Sequence, residues 1–195
     1  MTLRQIRMAL WAVVAAALVA TVGLQFLPRE ADEALAAFRP EFTLPDSTGQ
    51  MRSIEEFKGR YLLVFFGFTN CPDVCPTTMA EVADVMDDLG PDADRVQPLF
   101  ISIDPERDRA LGLDDYLTAF HPSILGLAGD AAATQAAAAS FHIFYEQEED
   151  AAAPDGYSMS HSPALYLVGP DGGWLRQFDY ATPAEDILTD LQERL

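Results

Sequence analysis

The chain has 195 residues, with 12 Lys+Arg against 31 Asp+Glu, a net charge of −19, two cysteines and three histidines. This length predicts one folded domain that buries a sizeable core without disulfide staples or a structural zinc, and two cysteines cannot build a disulfide-rich scaffold. The acidity excludes a nucleic-acid binder, which needs a basic footprint to neutralise phosphates, and disfavours docking on an anionic lipid surface.

Residues 8–27 (MALWAVVAAALVATVGLQFL) carry no charge. As a helix rising 1.5 Å per residue, this stretch matches a bilayer core of about 30 Å. Arg4 and Arg7 precede it, and Glu30, Asp32 and Glu33 follow it. By the positive-inside rule the N-terminus stays in the cytoplasm and the rest of the chain lies across the membrane. The alternative is a cleaved signal peptide, with small residues at Ala15-Ala16-Ala17 or Leu18-Val19-Ala20. A signal core is usually shorter than this run. In either reading the folded part sits where thiols face oxidants. The organisation expected is a membrane anchor over residues 1–28, a charged, Ala-rich linker over 29–37, and a domain over 38–195.

Within the domain, FTLPDSTGQMRSI reads as a hairpin, with Pro-Asp-Ser-Thr-Gly at its turn. Residues 61–68 (YLLVFFGF) form a continuous apolar run, predicting a central buried strand. Residues 76–89 predict a helix, with Pro76 in its first turn and Met79, Val82, Val85, Met86 and Leu89 as its apolar stripe. Residues 97–103 predict the next buried strand, and 107–120 a helix. Residues 130–140 are Ala-rich and helix-prone, and 141–145 read as a strand. Residues 146–154 (EQEEDAAAP) read as a solvated, mobile loop. Strands over 164–168 and 174–178 flank the turn Gly-Pro-Asp-Gly-Gly. A closing helix spans 183–195, with Thr182 as candidate N-cap. Strands alternating with helices imply an α/β fold: a mixed, partly parallel sheet covered on both faces.

The chemistry concentrates in GFTNCPDVCPTTM. Cys71 and Cys75 are separated by three residues, where a buried strand meets a helix start. Unpaired N–H groups and the positive end of the helix dipole favour thiolate there. Thiols at i and i+4 on a helical turn face one side and can close a disulfide or grip one metal ion. A purely structural disulfide is the plain alternative. A buried thiol pair fits poorly beside Pro72, Asp73 and Pro76, and a four-ligand zinc site lacks donors. Of the histidines, His121 precedes Pro122 at a helix end and His142 begins an apolar run; both read as ordinary satisfied or solvated side chains. His161 lies just before a buried strand. The start of a strand beside the cysteine-bearing one can come near the cysteine turn, which makes His161 the candidate third ligand. Two thiolates and an imidazole suit copper better than magnesium or calcium. Met79 offers a thioether, but its place in the helix stripe assigns it to the core.

Taken together, FFGFTNCPDVCP, FISIDPERD and HSPALYLVGPDG resemble the Sco/SenC family of membrane-anchored copper proteins, in the same order and over nearly the whole domain. The resemblance implies a thioredoxin-like fold: a central mixed sheet flanked by helices, with an N-terminal hairpin and an N-terminal transmembrane helix. It implies copper, Cu(I) or Cu(II), held by Cys71, Cys75 and His161. It implies work on the binuclear copper centre of cytochrome c oxidase, either delivering copper or keeping that site's cysteines reduced. In the second role Cys71 and Cys75 would be the redox-active pair. The implied partners are the oxidase subunit carrying that copper site, an upstream copper donor and the lipid bilayer. The implied location is the bacterial inner membrane, with the domain in the periplasm. Asp73 and Asp104 also match acidic positions of the family motifs, where they would shape thiol reactivity or hold the loop; turn and strand-end capping is the alternative. Three positions depart from the pattern or invite comparison. Asn70 stands where many members have histidine, Ser160 stands where an acid is frequent, and Pro163 is placed like the cis-proline of ordinary thioredoxins.

Overall fold

The structure is a computed structural model that describes residues 38–153 and 155–195, together with Arg4, Gln5, Arg7, Met8, Leu10, Trp11 and Val14. The anchor expected over 8–27 falls outside the described residues except at Met8, Leu10, Trp11 and Val14, and the linker over 29–37 falls outside them entirely. Among the described residues no helix is long and apolar enough to cross a membrane. The chain divides into a unit over Met1–Ala36 and a larger one over Ala37–Leu195.

The larger unit opens with the expected hairpin, β1 (Thr43–Pro45) against β2 (Met51–Ser53). Asp46 builds its turn by accepting from the N–H groups of Thr48 and Gln50 and from the Thr48 hydroxyl. The apolar run becomes β3 (Tyr61–Gly67), the middle strand of a five-stranded sheet. Its parallel neighbour is β4 (Val96–Ser102), followed outward by β5 (Leu125–Leu127). On its other side lie β8 (Leu165–Val168) and then β9 (Trp174–Phe178), both antiparallel pairs. Consecutive residues Leu62 to Phe66 are all at most 2% exposed, so both faces of the central strand are covered. That explains why its sequence is uniformly apolar rather than alternating.

Helix α1 (Val74–Leu89) begins two residues earlier than its proline indicated, with Asp73 at the N-cap. The first turn of a helix leaves its N–H groups without intrahelical partners, so Pro76 is tolerated at its third position. The whole predicted stripe, Met79 included, is buried. The helix expected over 107–120 is two helices, α2 (Pro105–Leu111) and α3 (Leu113–Thr118). They break at Gly112, whose φ of 82° is left-handed and ends the first helix. Helix α4 (Ala131–Ser140) is capped by Asp130, which accepts from the Ala133 N–H at 2.8 Å. Helix α5 (Ala184–Gln192) has Pro183, not Thr182, at its N-cap. The Thr182 hydroxyl donates to the Asp179 carbonyl instead, and the Ala184 N–H is satisfied by Glu81 of α1 at 2.7 Å.

The sequence expectation fails most over residues 141–154. Of residues 141–145 only Tyr145 lies in a strand; 141–144 are the closure of α4 and the link to that strand. The Ile143 N–H reaches back to the Ala138 carbonyl and that of His142 to Ala139, with His142 left-handed at φ 56°. That is a Schellman C-cap, with histidine where glycine usually stands. The first four residues of the acidic stretch read as a loop belong to a strand, β6 (Tyr145–Glu149), paired antiparallel with β7 (Tyr157–His161), and residues 150–153 form the connecting turn. Composition misled here because backbone pairing, not burial of β6, makes this hairpin: four of the five β6 residues are exposed.

Candidate metal centre

The site forms where β3 runs into α1. Gly67 ends the strand, and a Cβ there would lie 2.9 Å from the Cys75 Sγ and 2.7 Å from a Phe65 ring carbon. Only glycine lets the Cys75 thiol pack this close to the strand end. The loop that follows is tied down at Thr69. Its N–H and hydroxyl both donate to Asp108 Oδ1, at 2.8 and 2.7 Å. The other oxygen of Asp108 accepts from the Ser102 hydroxyl at 2.5 Å. Asp108 is fully buried, and burial pushes its carboxyl pKa up against these hydrogen bonds. Sequence reading singled out Asp104 in the same FISIDPERD stretch and missed Asp108. The available signal was spacing: Asp108 falls one helical turn after Asp104, on the face turned toward the end of β4.

Cys71 is half-buried in the loop and Cys75 is fully buried in the first turn of α1; both thiols are free. The Cys75 N–H points at the Cys71 Sγ at 3.4 Å. Hydrogen bonding from the Cys75 thiol is the largest influence on Cys71 and lowers its pKa. Burial opposes it, and His161 and the N–H groups of Cys75 and Asp73 assist it. Together they hold Cys71 at about 4. Cys75 is driven the other way, first by its neighbouring sulfur and then by burial. One thiolate and one thiol is the expected state of so close a pair.

His161 comes from the far end of the chain. β8 is antiparallel to β3, with Leu165 opposite Phe65, so the chain entering β8 passes the C-terminal end of β3. The sequence argument for this approach holds, though His161 itself ends β7 and not β8. Its Nε2 lies 3.8 Å from the Cys75 Sγ. Its Nδ1 lies 2.9 Å from the Ser162 carbonyl oxygen, which can only accept, so Nδ1 carries a hydrogen; Nε2 faces the sulfurs, as a donor to the Cys71 thiolate when the ring is protonated and as a lone-pair ligand when it is neutral. The edges of Phe65 and Phe68 close around the ring, with centroids at 5.8 and 6.0 Å. The donor atoms of Cys71, Cys75 and His161 all lie within 4.8 Å of one another. Two sulfurs and one unprotonated imidazole nitrogen form a soft, low-coordinate set, open on the Cys71 side.

The hairpin carrying His161 is clasped at its other end. The Tyr157 hydroxyl donates to both oxygens of Asp104, at 3.0 and 3.2 Å. Arg107 pairs with the same carboxylate at 2.6 Å and lies over the Tyr157 ring at 3.9 Å. Asp104 therefore holds the hairpin and is not part of the donor cluster. Tyr157 escaped sequence reading because period two shows its relation to His161 only once this segment is known to be a strand. Asp73 occupies the N-cap position of α1 but its side chain makes no capping hydrogen bond; it accepts instead from the exposed Tyr180 hydroxyl at 3.2 Å. Ser160 alternates with His161 and sits opposite Glu146, on the other face of the hairpin. Asn70 is exposed beside Cys71. The bond before Pro163 is trans. The other histidines stay away from the cluster. His121 bonds Ser123 at 2.7 Å and neighbours Asp87, and His142 packs against Phe38.

A mixed sheet flanked by helices, with a two-cysteine turn between a central strand and the following helix, defines a thioredoxin-like protein, here with an added soft metal-ligand set. The family model described as SCO1/SenC matches residues 30–195, and the chain belongs to that family. The mitochondrial SCO2 homolog of Bos taurus is 35% identical over 178 residues, covering 89% of this chain and 65% of that protein. An SCO2-like protein of Rickettsia felis is 32% identical, covering 78% of this chain and 74% of its own. The solved structure of Bradyrhizobium japonicum ScoI with copper bound superposes with a TM-score of 0.73 at 36% identity, covering 82% of this chain and all of that one.

Proposed function

We propose that this protein is a copper-binding assembly factor for the binuclear copper centre of cytochrome c oxidase, with Cys71, Cys75 and His161 as the copper ligands. The convergence of these three donors within 4.8 Å carries the reading. Copper is cargo here, and the geometry suits cargo. Cys71 and His161 are only partly buried, so an incoming ligand can reach the metal. His161 sits on a separate hairpin, so releasing it leaves a two-thiolate site open to the acceptor. Residues 8–27 would anchor the chain in the bacterial inner membrane, with Arg4 and Arg7 on the cytoplasmic side and the domain in the periplasm. The partners are then the copper-site subunit of the oxidase and an upstream copper donor. The test titrates the full chain with Cu(I) against a competing chelator, and with Cu(II) by absorption. Cys71→Ser, Cys75→Ser and His161→Ala should each lose binding, and wild-type affinity in any of them removes that residue from the ligand set.

The divided ionisation of the two thiols favours a second role for the same site. In a thiol–disulfide oxidoreductase, the Cys71 thiolate attacks a substrate disulfide and the Cys75 thiol resolves the mixed disulfide. Two electrons and the Cys75 proton pass to the substrate, which leaves as one thiolate and one thiol, as the Cys71–Cys75 disulfide forms. This role requires metal-free turnover on a disulfide substrate, retained in His161→Ala; loss of turnover in that variant counts against it.

A further inference from the structure

His161 ends β7 one residue short of an altered rung in the hairpin ladder. The register pairs Tyr145 with His161, Glu146 with Ser160 and Glu148 with Ser158. In an antiparallel ladder, pairs that exchange both backbone hydrogen bonds alternate with pairs that exchange none. At the turn the Asp150 N–H donates to the Gly156 carbonyl at 3.0 Å, and at the open end the Ser162 N–H donates to the Phe144 carbonyl at 2.9 Å. These two rungs lie an even number of residues apart, so Phe144 and Ser162 form a rung of the bonded kind. Its reciprocal bond, from the Phe144 N–H to the Ser162 carbonyl, is replaced. The Phe144 N–H goes instead to the Ser162 hydroxyl oxygen at 3.2 Å, and that hydroxyl faces the Phe144 carbonyl at 3.5 Å. The Ser162 carbonyl is turned to His161 Nδ1 at 2.9 Å. Pro163 follows directly and narrows the ψ of Ser162, the torsion that aims this carbonyl.

We propose that Ser162 is the positioning residue for His161, and that its hydroxyl stands in the ladder for its own carbonyl. This rests on the copper reading and adds the group that aims the third ligand. At a regular rung the Ser162 carbonyl would be taken by the strand opposite. With the hydroxyl answering Phe144, the carbonyl is free to accept from the imidazole. That bond sets the rotation of the ring and keeps Nε2 on the side of the Cys75 sulfur, 3.8 Å away. Phe65 and Phe68 pack against the ring, but apolar edges do not select which nitrogen faces the sulfurs. A hydrogen bond from the second ring nitrogen both orients a metal-ligating histidine and makes it a better donor. The exchange needs a side-chain oxygen close to the backbone, which serine and threonine carry and alanine lacks. Without the hydroxyl, the ordinary rung closes and the carbonyl leaves the imidazole.

The test uses the full chain, reduced and metal-free, isotope-labelled at nitrogen, with hydrogen exchange followed by NMR at two sites. Nδ1 carries a hydrogen in the neutral and the protonated ring alike, so its N–H resonance reports the bond to the carbonyl. In Ser162→Ala the His161 Nδ1–H should exchange about tenfold faster or more, while the Phe144 amide stays protected because the carbonyl takes over. A serine that merely ties the strand end gives the reverse: the Phe144 amide opens and the ring N–H is unchanged. That reverse pattern overturns the proposal, as does loss of protection at both sites or at neither. Ser162→Thr should keep the wild-type pattern, and a threonine variant that behaves like alanine also overturns it. Cu(I) affinity against a competing chelator should fall by about tenfold in Ser162→Ala and recover in Ser162→Thr. Unchanged affinity beside the expected exchange pattern would show that the bond does not serve the metal, which overturns the positioning role. The exchange readout involves no copper, so its failure leaves the copper reading standing, and loss of the copper reading is seen separately in the ligand variants.

Discussion

The single carboxylate of Asp108 accepts both hydrogen-bond donors of Thr69, at 2.8 and 2.7 Å, and so fixes the backbone two residues before Cys71. The acid is fully buried, so its loss leaves the buried Ser102 hydroxyl and the part-buried Thr69 N–H without their acceptor. Asp108→Ala should cost about 3 kcal/mol in urea unfolding. Asp108→Asn keeps an acceptor for Thr69 and should cost less than half as much. Equal midpoints for the alanine variant and the wild type would show that the tie contributes nothing.

The two thiols should titrate far apart. The Cys71 pKa is lowered to about 4, chiefly by hydrogen bonding from Cys75, whereas the Cys75 pKa is raised. Alkylation by iodoacetamide should modify Cys71 with a pH midpoint near 4, while Cys75 stays protected at neutral pH. The linkage sign follows from a folded pKa below the unfolded value of about 8.5. The thiolate's contribution to stability is fully present above about pH 8.5 and is lost as pH falls through about 4. Stability should therefore rise with pH across that window, and Cys71→Ser should flatten the rise. A midpoint near the unperturbed value would contradict the thiolate assignment.

The clasp at Tyr157 should matter to the metal site, although it lies four residues along the strand from His161. Tyr157→Phe keeps the ring under Arg107 and removes both hydrogen bonds to Asp104. A loss of about 1 kcal/mol would loosen the hairpin and weaken Cu(I) affinity by about fivefold. The Cys71 alkylation midpoint should barely move. Unchanged copper affinity would mean that the hairpin is held without this clasp.

Gly67→Ala places a methyl group 2.9 Å from the Cys75 sulfur and 2.7 Å from Phe65. Neither neighbour can swing away, because both are buried in the core. Overpacking of this kind costs about 1–3 kcal/mol. The displaced sulfur should also weaken metal binding beyond the loss of stability. A variant as stable as wild type, with wild-type copper affinity, would show that the strand end yields without strain.

The central elements were legible because their signals are local. Eight residues from Tyr61 are apolar without a break, and only a strand covered on both faces reads that way. The stripe from Met79 to Leu89 repeats at helical spacing, and all of it is buried. The cysteine spacing carried its own chemistry, since i and i+4 thiols at a helix start face one way. His161 was reachable by a topological argument, because antiparallel pairing brings the start of β8 to the end of β3. The acidic stretch after Tyr145 was misread because its β-structure rests on cross-strand hydrogen bonds, which composition does not record. The apolar FHIFY was misread because its alternation serves a helix cap.

By itself the sequence determined which side chains were chemically able to hold a soft metal, and which segments had to be buried. It also determined that the charge would be strongly negative. Only the tertiary structure decided that Asp108 rather than Asp104 supports the cysteine loop, and that Asp104, Arg107 and Tyr157 instead clasp the hairpin bearing His161. It alone decided that Gly67 makes room for a sulfur. Those facts join residues far apart in the chain through distances of a few ångströms. Such distances are set by the packing of sheet, helices and hairpin together, and no local pattern of residues encodes them.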